Sequence, residues 1–109
     1  MTNKIVVLST CGSEAEAESL ARALVEERLA ACVNVVRGVR SVYRWQGAVE
    51  AADEVLLVIK STADRFPDLR EKLQKLHSYE VPEVVAIPVA DGTESYLRWI
   101  DECVSGEGA

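Results

Sequence analysis

The sequence predicts an α+β fold in which four strands and two long helices alternate as strand, helix, strand, strand, helix, strand, followed by a short C-terminal helix. Three observations predict it. Several runs are rich in Val and Ile, as is typical of strands. Two segments carry apolar residues at helical spacing, and a short Gln-Gly turn joins the middle strands. The 109 residues are expected to form one domain, 1–109, which is large enough for a core without disulfide or metal staples.

The first half of the chain is predicted to form a strand, a helix and a second strand. The first strand covers Lys4 to Cys11. Ser13 and Glu16 have the Ser-x-x-Glu spacing of a capping box, and the apolar periodicity behind them predicts a long amphipathic helix that ends near Ala30. The segment Cys32 to Trp45 shows period two, which predicts a half-buried strand. The apolar odd positions of this strand are Val33, Val35, Val39, Tyr43 and Trp45.

The middle of the chain is predicted to return as a strand and then form the second helix. After the turn at Gln46 and Gly47, a strand runs from Val49 to Lys60, and its dense apolar centre is typical of a central strand. A narrow apolar stripe then predicts a helix that ends around His77, with Pro67 acceptable in the first turn. The stripe consists of Phe66, Leu69, Leu73 and Leu76.

The last part of the chain is predicted to add an edge strand and a terminal helix. Val84 to Val89 forms the strand, and Pro88, which cannot donate to a ladder, indicates an edge. The terminal helix carries Tyr96, Leu97, Ile100, Cys103 and Val104 at helical spacing. The tail Ser105–Ala109 is expected to fray. This order of elements is the ferredoxin-like, split βαβ arrangement, an antiparallel sheet with both long helices on one face.

The opposite face of that sheet is predicted to have no helix over it, so apolar residues there would need another subunit. The hairpin between Val35 and Val55 has arms of roughly ten residues, longer than the ~5–6 residues of a typical strand. Its tip carries Tyr43 and Trp45, and aromatic anchors of this kind favour a neighbouring strand edge. The sequence therefore predicts an oligomer with Tyr43 and Trp45 at the interface.

Charge and cysteine usage limit the partners and the compartment. Twelve Lys and Arg against 18 Asp and Glu give a net charge of -6 without a basic stripe, so nucleic acid is not an expected partner. Cys11, Cys32 and Cys103 are odd in number and widely spaced, which argues against a disulfide framework and for a reducing compartment. The opening apolar run is too short for a signal segment or a membrane span. A cytoplasmic protein without a membrane partner is expected.

Three blocks of the sequence resemble a known family. They are Ala30-Ala31-Cys32-Val33-Asn34, Ser41-Val42-Tyr43-Arg44-Trp45-Gln46-Gly47 and His77-Ser78-Tyr79-Glu80-Val81-Pro82-Glu83. Together they resemble the CutA family, named for divalent-cation tolerance, and the resemblance extends from about Val6 to Trp99. It implies a homotrimer built around sheet faces, as in the PII signalling proteins, and a non-enzymatic role in the homeostasis of divalent metals, chiefly copper.

Four residues are candidate metal ligands. His77, the only histidine, is either a copper or zinc ligand together with Glu80, Glu83 or a cysteine of a neighbouring subunit, or a helix-terminal residue that interacts with the carbonyl end of the helix. Cys32 is either a soft ligand or a small buried hydrophobe. Cys11 lies where a thiolate would feel the positive end of the first helix, so it is predicted to be the more reactive thiol. Because a tetrahedral site takes four ligands, a strong site would have to be shared between subunits.

The chain also departs from the family pattern at two positions, Ser78 and Ser9. The block at His77 usually continues with proline in the family, whereas this chain has Ser78. Some members carry a cysteine where this chain has Ser9, so the thiol site suggested for those members does not carry over. The nearby Glu80 and Glu83 are expected beside Lys60, either as the floor of a polar cleft or in surface ion pairs.

Two other functions are compatible with the sequence. A PII-like regulatory trimer would bind a small anionic ligand in the clefts between subunits, for which the hairpin offers only Arg37, Arg40 and Arg44. An enzyme would need a base beside a nucleophile, or a glycine-rich cradle with an arginine, which Thr10-Cys11-Gly12-Ser13 lacks. The aromatic residues are either interface and core residues or the walls of an inter-subunit pocket. They are Tyr43, Trp45, Tyr79 and Trp99.

Overall fold

A computed structural model describes residues 1–105, which form one antiparallel sheet of four strands with three α-helices. The elements are β1 (Lys4–Cys11), α1 (Glu14–Glu26), β2 (Cys32–Trp45), β3 (Ala48–Thr62), α2 (Phe66–Leu76), β4 (Val85–Pro88) and α3 (Glu94–Val104). The strand order β2-β3-β1-β4 is ferredoxin-like, so the predicted fold is confirmed, and β4 with Pro88 lies at an edge as predicted. Apart from Ser105, the tail that was expected to fray lies outside the described residues.

The core lies between one face of the sheet and the two long helices. Alternate residues of β1 and β3 point into it and meet the apolar stripes of α1 and α2. The apolar core-facing residues of the two central strands are Ile5, Val7, Cys11, Val55, Leu57 and Ile59. The prediction that both long helices pack on one face is therefore confirmed.

Helix α1 ends at Glu26 and not near Ala30 as predicted. Arg28 adopts a left-handed conformation with φ of 59°, and the N–H of Leu29 donates to the carbonyl oxygen of Leu24 at 2.9 Å. This is a Schellman ending with an arginine in the position that glycine usually takes. The apolar periodicity misled the prediction because Leu29 and Ala30 remain buried after the helix has ended.

We call the other face of the sheet the open face. It is formed by the even-numbered residues of β1 and β3 and by the residues paired with them. The prediction that no helix covers it is wrong, because α3 packs against β3 at one end. There Lys4 Nζ, on the open face, lies 2.9 Å from Asp101 Oδ2. Beyond α3 the open face remains apolar and exposed, with Val36 41%, Val85 49% and Ile87 45% accessible.

Strand β2 changes faces part way along its length. Val35 pairs with the core residue Leu57, whereas Tyr43 pairs with Glu50 on the open face, because the register slips by one residue around Gly38. Gly38 has φ of 78°, a conformation that suits the extra residue of a β-bulge. Directly paired residues share a face. The predicted single alternation of odd positions in this strand is therefore wrong beyond Gly38.

The hairpin of β2 and β3 extends beyond the rest of the sheet. Strand β1 ends opposite Val55, so residues 39–54 form a two-stranded ribbon, and the molecule measures 46 × 26 × 23 Å. The predicted turn at Gln46 and Gly47 is confirmed, with φ of 49° and 84° as in a type I′ turn. A two-stranded ribbon is marginally stable on its own. Within residues 1–105, no helix has the length and apolar character needed to cross a membrane.

Candidate functional site

A cavity of about 580 Å³ lies where the ribbon leaves the sheet. Strand β2 and the segment that follows α2 form its walls, and the open face forms its floor. Aromatic and acidic side chains dominate the lining, and all of its charged residues are glutamates. The rings belong to Tyr43, Trp45 and Tyr79, and the carboxylates to Glu54, Glu80 and Glu83. The cavity therefore combines apolar walls with negative charge.

Glu54 and Tyr79 form the polar floor of this cavity. Glu54 is only 9% exposed, and its Oε2 accepts a hydrogen bond from the Tyr79 hydroxyl at 2.7 Å. Burial and then the hydrogen bond to Glu54 raise the pKa of Tyr79, so the hydroxyl stays protonated and donates. Among residues 1–105, no Lys, Arg or His nitrogen lies within 4.0 Å of the Glu54 carboxylate. Within these residues, the neutral Tyr79 hydroxyl is therefore the hydrogen-bond donor to the Glu54 carboxylate, and no cation accompanies it.

His77 ties the segment after α2 to the end of β1. Its side chain is completely buried, Nδ1 accepts from the N–H of Tyr79 at 3.0 Å, and Nε2 donates to the carbonyl oxygen of Thr10 at 2.8 Å. These bonds define the neutral tautomer with the proton on Nε2. The ring also packs 4.7 Å from the ring of Tyr79. Both nitrogens are thus engaged with backbone groups, and His77 positions Tyr79 at the cavity.

Glu16 holds the same segment from the first turn of α1. Ser13 caps the helix as predicted, because its hydroxyl accepts from the N–H of Glu16 at 3.1 Å. The carboxylate of Glu16 accepts from both the N–H and the hydroxyl of Ser78, each at 2.9 Å. Burial acts to raise the pKa of Glu16, but the two bonds from Ser78 and the N–H of Gly12 outweigh it and lower the pKa. A proline at position 78 could make neither bond.

Cys11 is placed where a reactive thiol is not expected. It is fully buried on the core side of β1, and its Sγ donates to the carbonyl oxygen of Ser13 at 3.7 Å. Burial and then the charge of Glu16 raise the pKa of the Cys11 thiol. The prediction that the positive end of α1 makes this cysteine reactive is therefore wrong, because burial and the charge of Glu16 raise the pKa of the thiol where a reactive cysteine needs it lowered.

The four predicted metal ligands do not converge. Glu80 is exposed at the cavity, and His77 is buried nearby in the chain, directly after α2. Cys32 is the first residue of β2 and pairs with Lys60, at the end of the sheet away from the cavity. Because Lys60 Nζ donates to Asn34 there, the expectation that Glu80 lies near Lys60 is wrong. In the part of the chain that the structure describes, no three His, Cys, Asp or Glu residues are close enough to hold a metal ion.

Cys32 lies on the open face, where it pairs with Lys60. Burial raises the pKa of Cys103 and of Tyr96, which both belong to α3. Trp99, on the same helix, packs its ring 5.5 Å from that of Tyr96 and is 40% exposed. This aromatic and thiol group is separate from the cavity.

Sequence reasoning missed two acidic residues that build the site. Glu54 is the last polar residue before the dense apolar run of β3. A carboxylate directly next to a buried strand segment is a signal that could have identified Glu54 as a site residue. Glu16 was recognised as part of a capping box, but its side chain binds a segment 62 residues away. Contacts of that range cannot be inferred from spacing along one helix.

Comparison with known proteins places this chain among divalent-ion tolerance proteins. Residues 5–103 match the family described as CutA1 divalent ion tolerance protein. The chain is similar to the Divalent-cation tolerance protein CutA of Thermus thermophilus, with 55% identity over 97 residues, covering 89% of this chain and 94% of that protein. It is 45% identical to Protein CutA of Mus musculus over 102 residues, which is 91% of this chain but only 58% of the mouse protein.

The fold agrees with that comparison. The crystal structure of CutA from Xylella fastidiosa superposes with a TM-score of 0.92 at 40% sequence identity. The superposition covers 94% of this chain and 99% of the Xylella chain.

Proposed function

We propose that this chain, which belongs to the CutA1 divalent ion tolerance family, limits the toxicity of divalent cations, copper in particular, by binding them as a homotrimer. The observation that carries the proposal is the family match over residues 5–103, which spans every element of the fold. The charge of -6 is consistent with attraction of cations.

The proposed trimer rests on two exposed features. The open face beyond α3 presents apolar side chains, including Val85 and Ile87, which a monomer rarely leaves in water. Among residues 1–105, no third strand pairs with the ribbon 39–54, which exposes Tyr43 and Trp45 on the same face. A second copy that packs on this face would cover the apolar side chains and support the ribbon.

The proposed metal ligands are exposed carboxylates completed by a neighbouring subunit. Of the four residues predicted as ligands, Glu80 is exposed and Cys32 is half-buried, and Glu83 lies with Glu80 at the cavity. Among divalent first-row metals, Cu(II) binds such donors most strongly. Cys32, on the open face, is a soft donor suited to Cu(I). Binding at His77 or Cys11 would require loss of the hydrogen bonds described above.

A non-enzymatic role in the cytoplasm is part of the proposal. The buried Cys11 thiol, with its raised pKa, and the fully engaged His77 supply no activated nucleophile and base pair. The three free cysteines are consistent with a reducing compartment. The alternative of a PII-like anion-binding trimer finds no support at the cavity, where the charged side chains are all acidic.

The test is growth of a bacterial strain that lacks its own member of the family on a gradient of Cu(II). Expression of this chain should raise the tolerated concentration, and the double variant Glu80→Gln with Glu83→Gln should lose that gain. Glu71→Gln, which makes the same charge change at an exposed position of α2, is the matched control. Equal tolerance with and without the chain, for Cu(II) and for other divalent cations, would overturn the proposed function.

A further inference from the structure

The buried Glu54 carboxylate is one half of an ion pair in a single copy of the chain. Glu54 is 9% exposed and accepts from the Tyr79 hydroxyl, and no cation of the described range 1–105 lies within 4.0 Å of it. Buried carboxylates are usually paired, because burial without a countercharge is costly. In the homotrimer proposed above, on which this inference rests, a second copy packs on the open face that carries Glu54. The countercharge is then expected from that second copy.

Most side-chain cations already have a partner in their own copy. Arg28 and Arg65 donate to carbonyl oxygens at the end of α3. Lys60 donates to an asparagine, and Arg70 lies over a phenylalanine ring. The cations that lie within 4.0 Å of a carboxylate of the same copy are Lys4, Arg22, Arg37, Arg40, Lys72 and Arg98.

Within the part of the chain that the structure describes, Arg44 and Lys75 are the side-chain cations without such a contact. Lys75 is exposed in the last turn of α2, on the helix side of the sheet and away from the open face. Arg44 is exposed on the ribbon, where it alternates with Tyr43 and Trp45 and so points to the side of the ribbon opposite the cavity. Because the ribbon extends beyond the sheet, that side is available to a neighbouring copy, which favours Arg44 as the countercharge.

Arg44 cannot reach Glu54 of its own copy. Glu54 pairs with Val39, and Arg44 lies five residues farther along β2, which is a separation of about 17 Å along a strand. The cavity and the outer side of the ribbon are therefore two different surfaces of one chain. When one surface of a copy contacts a different surface of the next copy, a rotation can close the copies into a ring. Each copy of a trimer would then donate one Arg44 and receive another at Glu54.

We propose that Arg44 of one copy enters the cavity of the next copy and pairs with its buried Glu54. A guanidinium carries several N–H donors, which suit the carboxylate lone pairs that the Tyr79 hydroxyl leaves free. It also stacks on aromatic rings, and Tyr43 and Trp45 of the receiving copy line the cavity. The cavity of about 580 Å³ at the base of the ribbon is in this assembly filled by a side chain of the neighbour.

The experiment follows assembly of the full-length protein by sedimentation velocity over a dilution series, in the urea concentration at which the wild type begins to dissociate. Arg44→Gln should raise the protein concentration needed for half assembly by about tenfold or more, because Glu54 is left buried and unpaired. Arg44→Lys, which keeps the charge, should retain most of the assembly. Arg40→Gln is the matched control on the same side of the same strand, and it should assemble like the wild type because Arg40 pairs with Asp53 of its own copy.

Two further backgrounds identify the carboxylate that Arg44 meets. In Glu54→Gln, which still accepts from Tyr79, Arg44→Gln should cause no additional loss, because the charge is already absent. In the double variant Glu80→Gln with Glu83→Gln, the loss caused by Arg44→Gln should be undiminished, and this background decides the matter if Glu54→Gln does not fold. A loss that persists in full beside Glu54→Gln, or that disappears beside the double variant, would overturn the proposal.

This inference and the proposed function can fail separately. A wild type that sediments as a monomer in the absence of urea would overturn both the homotrimer and the pairing. A wild type that assembles, but in which Arg44→Gln behaves like Arg40→Gln, would overturn the pairing of Arg44 with Glu54 and leave the homotrimer in place.

Discussion

Replacement of Ser78 by proline restores the residue that the family usually has, yet we predict that it destabilises this chain. Ser78 donates its N–H and its hydroxyl to the Glu16 carboxylate, each at 2.9 Å, and proline supplies neither donor. Hydrogen bonds to charged groups contribute about 1.5–3 kcal/mol each. Because the Glu16 side chain is 20% exposed, we take the lower end of that range, and the loss of both bonds costs about 3 kcal/mol.

The proline ring offsets part of that cost. His77 has φ of -72° and ψ of 143°, which is the extended conformation that a residue before proline prefers. A compatible proline stabilises by about 0.4–1 kcal/mol through the unfolded chain. The net effect of Ser78→Pro is therefore a loss of about 2 kcal/mol, and Ser78→Ala, which keeps the N–H, should lose about 1.5 kcal/mol.

The assay is urea unfolding followed by circular dichroism, at one fixed protein concentration because assembly contributes to stability. The bonds lower the pKa of Glu16 in the folded state, so their contribution is complete above the ordinary value of 4.5 and is lost as pH falls through the folded value. The difference between wild type and Ser78→Pro should therefore shrink from neutral to acid pH. A proline variant as stable as wild type at neutral pH would refute the assigned role of Ser78.

Three further predictions follow from the same contacts. Tyr79→Phe removes the donor to the buried Glu54 carboxylate and should destabilise by about 1.5–3 kcal/mol in urea unfolding, and an unchanged midpoint would show that water replaces the hydroxyl. Trp45→Ala should shift the mass measured by light scattering below that of a trimer at micromolar concentration, whereas Val49→Ala should not. Because all three cysteines are free, reductant should leave the thermal unfolding curve in place, and a large downward shift would reveal a disulfide.

The sequence predicted the elements well because each one carries its own local signal. The capping box at Ser13, the proline of the edge strand and the Gln-Gly turn all act within a few residues, and the structure confirms them. The bulge at Gly38 escaped prediction because the slip becomes visible only when β2 is paired with β3. The end of α1 at Glu26 escaped because the left-handed Arg28 that follows it has no sequence signature.

The candidate site was harder to predict because its geometry is set by long-range contacts. The block at His77 was singled out either as metal ligands or as a helix end, and its hydrogen bonds to Thr10 and Glu16 give it a structural role that neither alternative included. The contact between Glu54 and Tyr79 depends on where these hydrogen bonds hold the segment that follows α2. Residue type alone could not place these groups together.

The central claim is that copies of this chain assemble and bind divalent copper between them, and an anomalous difference map from Cu(II)-soaked crystals tests it most directly. We predict a peak within bonding distance of the Glu80 or Glu83 carboxylate and of a side chain from a second copy, around a threefold axis. Peaks confined to a single copy away from Glu80 and Glu83, or a crystal without a threefold assembly, would contradict the claim.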